Sequence, residues 1–233
     1  MSKPVFITSD STCDLTPELL ERFNVKTAPL HVLLGEDTYL DGVNFTQEMI
    51  FERYAKDKTL PRTAAVSPQE FTDFFTPLVE AGYEVIFLSI SSGLSGTYQN
   101  AVIAAQDLPG IYPIDTHKLT TGVGEMVLAA CKMRDEGMDA ASIAKAMEEM
   151  EDEDMLKMFR LFPKELAADV FAQLEDDSQQ YIITQLSEKE AGIVIDNLYA
   201  DAGHAKEEAQ KLQEDYQKKL NEASAPADQM LKK

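Results

Sequence analysis

Residues 85–97 read VIFLSISSGLSGT, and this stretch decides the fold class that the sequence predicts. Its first six residues are apolar except for Ser89, and such a run of β-branched and aromatic side chains is typical of a buried strand. The serines and glycines that follow indicate a turn, and Ala101, Ala104 and Ala105 predict a helix after it. A strand, a turn and a helix in this order are typical of an α/β protein with a parallel sheet.

The rest of the first 150 residues alternates between strand and helix signals. Three further strands are predicted, at residues 5–8, 25–34 and 111–114. Four further helices are predicted, beginning after Thr16, after Thr46 and after Ser67, and covering residues 124–134. The alternation predicts right-handed βαβ units whose parallel sheet is covered by helices on both faces.

The composition changes near residue 150. Residues 148–154 read EEMEDED, an acidic run that we interpret as a solvated face or a linker. From residue 155 to residue 174, apolar side chains recur every three or four positions, which predicts helix. Ser187 and Glu190 form the sequence pattern of a capping box, which predicts another helix start.

The whole chain is therefore predicted to be an α/β domain followed by an all-α C-terminal segment. Residues 204–222 carry many charges and a thin apolar stripe, so they predict an exposed helix. We predict three parts: an α/β domain at residues 1–150, a helical segment at 151–202, and a charged helix with a frayed tail at 203–233.

The charge and the cysteines exclude several classes of protein. The 41 acidic and 21 Lys and Arg residues give a formal net charge of −20, which disfavours nucleic-acid binding and electrostatic docking on anionic membranes. We expect no transmembrane segment and no signal peptide, because no apolar run is long enough for either. Cys13 and Cys131 stand alone in the sequence, so we expect free thiols and a cytoplasmic protein. No pattern of His, Cys and Asp has the spacing of metal ligands, so no metal or cofactor is predicted.

The turn at residues 91–97 is the first candidate site. It follows a predicted parallel strand and opens a helix, and open α/β sheets bind ligands at this edge. The hydroxyls of Ser91, Ser92 and Ser95 can donate hydrogen bonds, while Gly93 and Gly96 let the backbone approach a ligand. Free backbone amides and the positive end of the helix would favour a carboxylate or a phosphate. An ordinary turn that only caps its helix remains the alternative.

Two more turns are expected at the same edge of the sheet, one with Ser11 after the first strand and one with Thr63 before the helix at Ser67. Hydroxyls without a neighbouring base indicate binding, so an enzyme that uses Ser92 or Ser95 as its nucleophile is the least favoured reading. We interpret His31, His117 and His204 as structural. Asp115 either orients the turn at 91–97 or forms a local Asx turn.

Residues 4 to about 150 resemble the DegV family. Residues 7–15, ITSDSTCDL, are similar to the opening strand and D-S-T-x-D-L turn of that family. Residues 90–98, ISSGLSGTY, resemble its most distinctive segment. The resemblance implies a lipid-binding protein that holds a long-chain fatty acid between two domains and, in some bacteria, presents it to a fatty acid kinase.

The resemblance also implies which residues hold the fatty acid carboxylate. By position in the family motifs, these are Thr63 and Ser92. The family's Thr-Ser-Gln-Pro-Ser segment reads TAAVS at residues 63–67 here, so polar groups next to Thr63 are missing. After residue 150 the sequence no longer resembles the second domain of the family.

Residues 155–201 instead resemble the cytoplasmic N-terminal helical domain of MgtE magnesium transporters. Residues 158–171, MFRLFPKELAADVF, carry most of this resemblance. It implies an acidic helical module that responds to Mg²⁺. The alternative function is therefore a regulatory or interaction module with a Mg²⁺-responsive segment and no retained lipid binding.

Overall fold

The computed structural model describes residues 3–150, Ala167, Phe171, residues 182–183 and residues 186–198. The chain divides into two compact units, Met1–Met155 and Leu156–Lys233. The predicted three-part division, with boundaries at residues 150 and 202, stays a prediction.

The described residues form seven strands and seven α-helices. The strands are β1 (Val5–Asp10), β2 (Lys26–Ala28), β3 (His31–Leu34), β4 (Asp37–Leu40), β5 (Arg62–Ala64), β6 (Glu84–Ser89) and β7 (Ile111–Asp115). The helices are α1 (Pro17–Arg22), α2 (Gln47–Asp57), α3 (Pro68–Glu80), α4 (Thr97–Ala105), α5 (Thr121–Asp135), α6 (Ala140–Glu148) and α7 (Glu188–Leu198).

A four-stranded parallel sheet organises the first unit. Its strands lie in the order β2-β1-β6-β7, and every neighbouring pair is parallel. β6 is fully paired on both sides, and Val85, Ile86, Phe87 and Leu88 are completely buried in it. The α/β fold class predicted from residues 85–97 is confirmed.

One predicted strand is wrong. The sequence of residues 25–34 reads as a single strand, but β2 ends at Ala28 and β3 begins at His31 in another sheet. Pro29 separates them, because it has no N–H group to donate to a strand partner. The second sheet is antiparallel, with the order β4-β3-β5, and is not among the elements that the sequence predicts.

Helices α1 and α3 begin at the caps that predict them. Thr16 accepts a hydrogen bond from the backbone N–H of Leu19 at the start of α1, and Ser67 forms a complete capping box with Glu70 at the start of α3. Helix α6 was not predicted. It begins after Asp139, whose side chain accepts a hydrogen bond of 2.9 Å from the N–H of Ser142.

Both faces of the parallel sheet are packed. On one face, Phe71 and Phe75 of α3 contact Phe87 of β6, with ring centroids 4.9 and 5.6 Å from it. On the other face, α5 contacts β1 and β6, and α6 contacts β6 and β7. The sheet is therefore a rigid base whose strand ends are fixed relative to one another.

The second unit is described in part. Helix α7 begins with the predicted capping box, in which Ser187 donates its N–H to Glu190 at 2.8 Å and accepts from the N–H of Glu190 at 3.3 Å. Ala191 and Val194 on this helix are buried. The predicted helix at 204–222 and most of the apolar stripe at 155–174 lie outside the described residues. Nowhere in the described part of the chain is a helix both long and apolar enough to cross a membrane.

Candidate functional site

Three neighbouring strands end side by side at the candidate site. β6 lies between β1 and β7, and the last residues of these strands are Asp10, Ser89 and Asp115. In the register of the sheet, Ser9 lies opposite Leu88, and Ser89 lies opposite Asp115. The turn that follows β6 therefore leaves the sheet between two carboxylates.

Asp10 fastens the end of β6 to the end of β1. Its completely buried carboxylate accepts hydrogen bonds from the N–H of Ile90 at 2.7 Å, the hydroxyl of Ser89 at 3.3 Å and the N–H of Thr12 at 3.0 Å. Burial raises the pKa of Asp10, and these hydrogen bonds offset only part of the rise. The sequence signal for this role is an acid directly after a predicted strand.

The backbone amides of the turn are already occupied. Ser91 donates its N–H to the carbonyl of Lys118 at 2.9 Å, and Ser92 donates to Oδ1 of Asp115 at 3.1 Å. Gly93 donates to Oγ of Ser91 at 3.2 Å, and the amides of Leu94 and Ser95 bind the carbonyl of Ser91. The expectation that free amides of this turn would receive an anion is therefore wrong for residues 91–95.

Hydroxyls and the first turn of α4 remain as donors at this edge. The Ser91 hydroxyl oxygen accepts from Gly93, which leaves its hydrogen for another acceptor. Ser95 accepts from the N–H of Thr97 at 3.2 Å, and its hydroxyl lies 2.9 Å from that of Thr97. Gly96 is the N-cap of α4 and provides no side-chain cap, so Ser95 takes the first amide of the helix, that of Thr97, in its place.

Asp115 and His117 lie on the far side of the turn. Oδ1 of Asp115 also accepts the N–H of His117 at 3.0 Å, as an Asx turn does, and Oδ2 lies 3.3 Å from Nδ1 of His117. The structure thus shows both alternatives left open for Asp115, a local Asx turn and a bond to the serine turn. His117 itself is exposed.

Ser11 lies in a short helical turn directly after β1. Its hydroxyl oxygen accepts the N–H of Leu30 at 3.1 Å, which fixes the chain as it passes from β2 to β3. The backbone of this turn packs closely on α5, since a Cβ atom added to Gly124 would lie 2.5 Å from the carbonyl oxygen of Cys13.

The expectation that Thr63 lies in a turn at the edge of the parallel sheet is wrong, because Thr63 lies on β5, an exposed strand of the antiparallel sheet. The segment after it is joined to α4, because the side-chain amide of Asn100 donates to the carbonyl of Val66 at 2.8 Å. Ala65 lies beside Gly96, with 4.0 Å between its Cβ and a Cβ built on that glycine. The structure therefore brings the chain that carries Thr63 to the N-terminal end of α4, next to the serine turn.

The two cysteine thiols are buried, and His31 is engaged with an acidic side chain. Burial raises the pKa of the Cys13 thiol to about 11 and that of Cys131 to about 12, so both thiols are protonated at neutral pH. His31 is engaged with Glu70, with 2.8 Å between Nε2 and Oε1. Among the residues that the structure describes, no three His, Cys, Asp or Glu side chains are grouped to hold a metal ion.

Comparison with known families agrees with both resemblances. Residues 4–159 match the model of the DegV family, described there as uncharacterised proteins. Residues 138–230 match the model of the MgtE intracellular N domain, a longer stretch than the resemblance over residues 155–201. The two matches overlap over α6.

Individual relatives match the first unit. A DegV domain-containing protein of Clostridium perfringens is 37% identical over 141 residues, which is 60% of this chain and 50% of that protein. A DegV family protein from Thermus thermophilus, described as binding fatty acid, is 34% identical, with a TM-score of 0.59 over 64% of this chain and 52% of that one. A stearic-acid-binding protein from Eubacterium ventriosum is 31% identical, with a TM-score of 0.55 over 61% of this chain and 51% of that one.

The chain spans about half the length of the curated relatives that it matches. The matched half contains the parallel sheet, the antiparallel sheet with Thr63 on β5, and the turns that carry Ser11 and Ser92. Since the family model matches residues 4–159, two thirds of the sequence, the chain belongs to the DegV family.

Proposed function

We propose that the protein binds one long-chain fatty acid and that the hydroxyls of Thr63 and Ser92 hold its carboxylate. The observation that carries the proposal is the hydroxyl-lined turn between Asp10 and Asp115, in a chain whose structural relatives are described as binding fatty acid or stearic acid. Ser11, Ser91, Gly93, Ser95 and Gly96 complete the proposed site.

The donors at this edge suit a carboxylate. A carboxylate accepts hydrogen bonds and donates none, and its bonds to hydroxyl groups are short and charge-assisted. The first turn of α4 adds the positive end of a helix dipole next to the serines. A neutral head group would form weaker hydrogen bonds with these donors than a carboxylate does.

Apolar side chains beside the turn support a ligand with a hydrocarbon chain. Leu94 within the turn is 64% exposed, and Leu119, next to the carbonyl that anchors Ser91, is 46% exposed. Large apolar side chains near a polar cluster are typical of a site for an amphipathic ligand. We therefore assign the first part of the acyl chain to these two leucines.

The proposed role is binding and presentation, without catalysis. Cys13 is protonated, and the Ser92 amide is fixed by a carboxylate that also engages His117. The implied partner is a fatty acid kinase that acts on the bound carboxylate. The two buried, free cysteines support a reducing compartment such as the cytoplasm.

Native mass spectrometry followed by extraction and lipid identification tests the proposal. We expect one fatty acid of roughly 14–18 carbons per chain, and loss of that species in the double variant Thr63→Ala with Ser92→Ala. A matched control is Thr72→Ala with Thr76→Ala, because these two hydroxyls on α3 only bind helix carbonyls, at 3.0 and 2.7 Å. The control is expected to retain the lipid.

Two results would overturn the proposal. An empty wild-type protein that takes up no added stearate would exclude fatty acid binding. A Mg²⁺-dependent change in that same protein would then favour the regulatory module indicated by the match at residues 138–230. Equal lipid retention in the double variant and its control would exclude Thr63 and Ser92 as the carboxylate ligands.

A further inference from the structure

Two carboxylates hold the chain that leaves β6, one from each neighbouring strand. Asp10 at the end of β1 accepts the N–H of Ile90, and Asp115 at the end of β7 accepts the N–H of Ser92. Between these bonds, the N–H of Ser91 binds the carbonyl of Lys118. The amides of three successive residues, 90–92, thus each bind a different acceptor that lies outside the turn.

We propose that Asp115 is the positioning residue for Ser92: its Oδ1 atom fixes the Ser92 backbone and thereby the direction of the hydroxyl that receives the fatty acid carboxylate. This inference rests on the proposed function, because the position of the Ser92 hydroxyl matters only if that hydroxyl binds the fatty acid. Asp115 does not itself contact the ligand, because its carboxylate would repel another carboxylate.

The geometry assigns this role to one atom. Oδ1 receives two N–H groups, from Ser92 at 3.1 Å and from His117 at 3.0 Å. These donors belong to segments that are far apart in the sequence, so the atom joins the serine turn to the segment that follows β7. Oδ2 lies 3.3 Å from Nδ1 of His117.

Hydrogen bonds of the next residue hold the backbone at Asp115 in place. Thr116, directly after it, donates both its N–H and its hydroxyl to the carbonyl of Ser89, at 3.2 and 2.8 Å. The pairing of β6 with β7 therefore continues past the last strand residues, and Asp115 cannot shift independently of Ser89. A fixed acceptor of this kind reduces the number of conformations that Ser92 can adopt before the ligand arrives.

The electrostatics keep Asp115 a good acceptor. Partial burial raises its pKa, but the hydrogen bond with the Ser92 side chain and those with the N–H groups of His117 and Ser92 outweigh that effect, and the pKa is lowered overall. The carboxylate is therefore ionised at neutral pH, and a charged acceptor makes a stronger bond than a neutral one.

The test compares three substitutions by two independent measurements. Asp115→Ala removes the acceptor, whereas Asp115→Asn keeps an oxygen that can occupy the Oδ1 position. Asp139→Ala is the matched control, because Asp139 also accepts a backbone N–H, that of Ser142 at the start of α6, away from this turn. Hydrogen exchange at the Ser92 amide reports positioning in the ligand-free protein, and titration with stearate reports affinity.

We expect Asp115→Ala to speed exchange at Ser92 and to weaken stearate binding about tenfold or more, the effect of losing a hydrogen bond to a charged group. Asp115→Asn is expected to stay within about threefold of wild type in both measurements, as is Asp139→Ala. Rescue by asparagine distinguishes a positioning oxygen from a general need for negative charge.

Unchanged exchange at Ser92 in Asp115→Ala would overturn the inference, as would equal loss of affinity in the alanine and asparagine variants. Should Asp115→Ala fail to fold, Asp115→Glu takes its place, since the longer side chain keeps the charge but displaces the oxygen. Wild-type affinity and exchange in that variant would contradict the proposal. If wild-type protein binds no stearate, the proposed function fails, while the exchange data still decide whether Asp115 positions Ser92.

Discussion

Ser67 and Glu70 determine how α3 begins beside the antiparallel sheet. The hydroxyl oxygen of Ser67 accepts the N–H of Glu70 at 3.3 Å, and Oε2 of Glu70 accepts the N–H and the hydroxyl of Ser67 at 2.8 and 2.6 Å. The other carboxylate oxygen of Glu70 lies 2.8 Å from His31 on β3. The Ser67 hydroxyl, as the main cause, lowers the pKa of Glu70 below its ordinary value of 4.5, and burial opposes this.

Replacing Ser67 with alanine tests this cap and its pH dependence. We expect Ser67→Ala to lower the free energy of unfolding by about 1 kcal/mol at pH 7. Because the pKa of Glu70 is lowered in the folded state, its stabilising contribution is present above pH 4.5 and is lost as the pH falls through the folded value. The difference between wild type and Ser67→Ala, measured by urea unfolding, should therefore be smaller at pH 3 than at pH 7.

Glu70→Gln is the control for the titration. Glutamine still accepts the Ser67 amide but carries no charge, so the stability gap between Glu70→Gln and its Ser67→Ala derivative should not depend on pH in this range. A gap between wild type and Ser67→Ala that is as large at pH 3 as at pH 7 would contradict the assigned role of Glu70.

Among individual residues, the sequence predicts hydrogen bonds between near neighbours in the chain and misses those between residues far apart in it. The capping boxes at Ser67 and Ser187 were readable, because cap and partner stand three residues apart. The sequence offers the bond between Ser92 and Asp115 only as one of two alternatives, and it does not predict the bond between Asp10 and Ile90. These partners meet only after the parallel strands have paired, which no spacing in the sequence reveals.

Helix α5 can lie close to a neighbouring turn because Gly124, at the point of contact, has no side chain. It crosses the turn formed by Ser11 to Cys13, and the contact is so close at Gly124 that an added Cβ would lie 2.5 Å from the Cys13 carbonyl oxygen and 3.1 Å from the Leu15 side chain. Backbone atoms of the turn cannot move aside as the end of a flexible side chain could. The whole helix would have to shift away from β1.

Gly124→Ala is therefore expected to destabilise the first unit by about 1–3 kcal/mol, the usual effect of overpacking. Gly192→Ala on α7 is the control, because an added Cβ there meets nothing within 4 Å, and alanine favours a helix over glycine by about 1 kcal/mol. The measurement is the thermal unfolding of both variants by circular dichroism. A Gly124→Ala protein as stable as wild type would show that α5 is not tightly held at this turn.

The sequence predicts a strand or a helix well when its own residues carry the pattern, and poorly when it depends on pairing with a strand far away in the chain. The strand at Val85–Ser89 and the helix after Ser67 follow from apolar runs and caps. The antiparallel sheet does not, because β3 pairs with β5 across the intervening α2, with His31 opposite Ala64. Helix α6 is absent from the sequence predictions although its signals are local, because Asp139 caps it and its buried residues, Ala140, Ile143, Ala144 and Met147, recur at helical spacing.

On the scale of the whole molecule, the proposed site and the main core belong to the same unit. Asp10, Ser92 and Asp115 lie within Met1–Met155, as do the phenylalanines packed between α3 and the sheet. This unit contains a parallel sheet covered on both faces, and about 150 residues are enough to form an independent hydrophobic core. The match to the MgtE intracellular N domain covers most of the second unit.

A chain that ends at Met155 is accordingly expected to fold by itself. We expect a single cooperative unfolding transition, because nearly all of the described core that surrounds β6 is retained. If the carboxylate is held only by residues of the first unit, stearate should bind to this fragment within about threefold of its affinity for the whole chain, since no head-group hydrogen bond is lost. Calorimetry of the fragment and of the full chain, side by side, measures both quantities. A fragment that unfolds without a cooperative transition would contradict its independence, and one that folds but binds no stearate would assign residues 156–233 a part in holding the acyl chain.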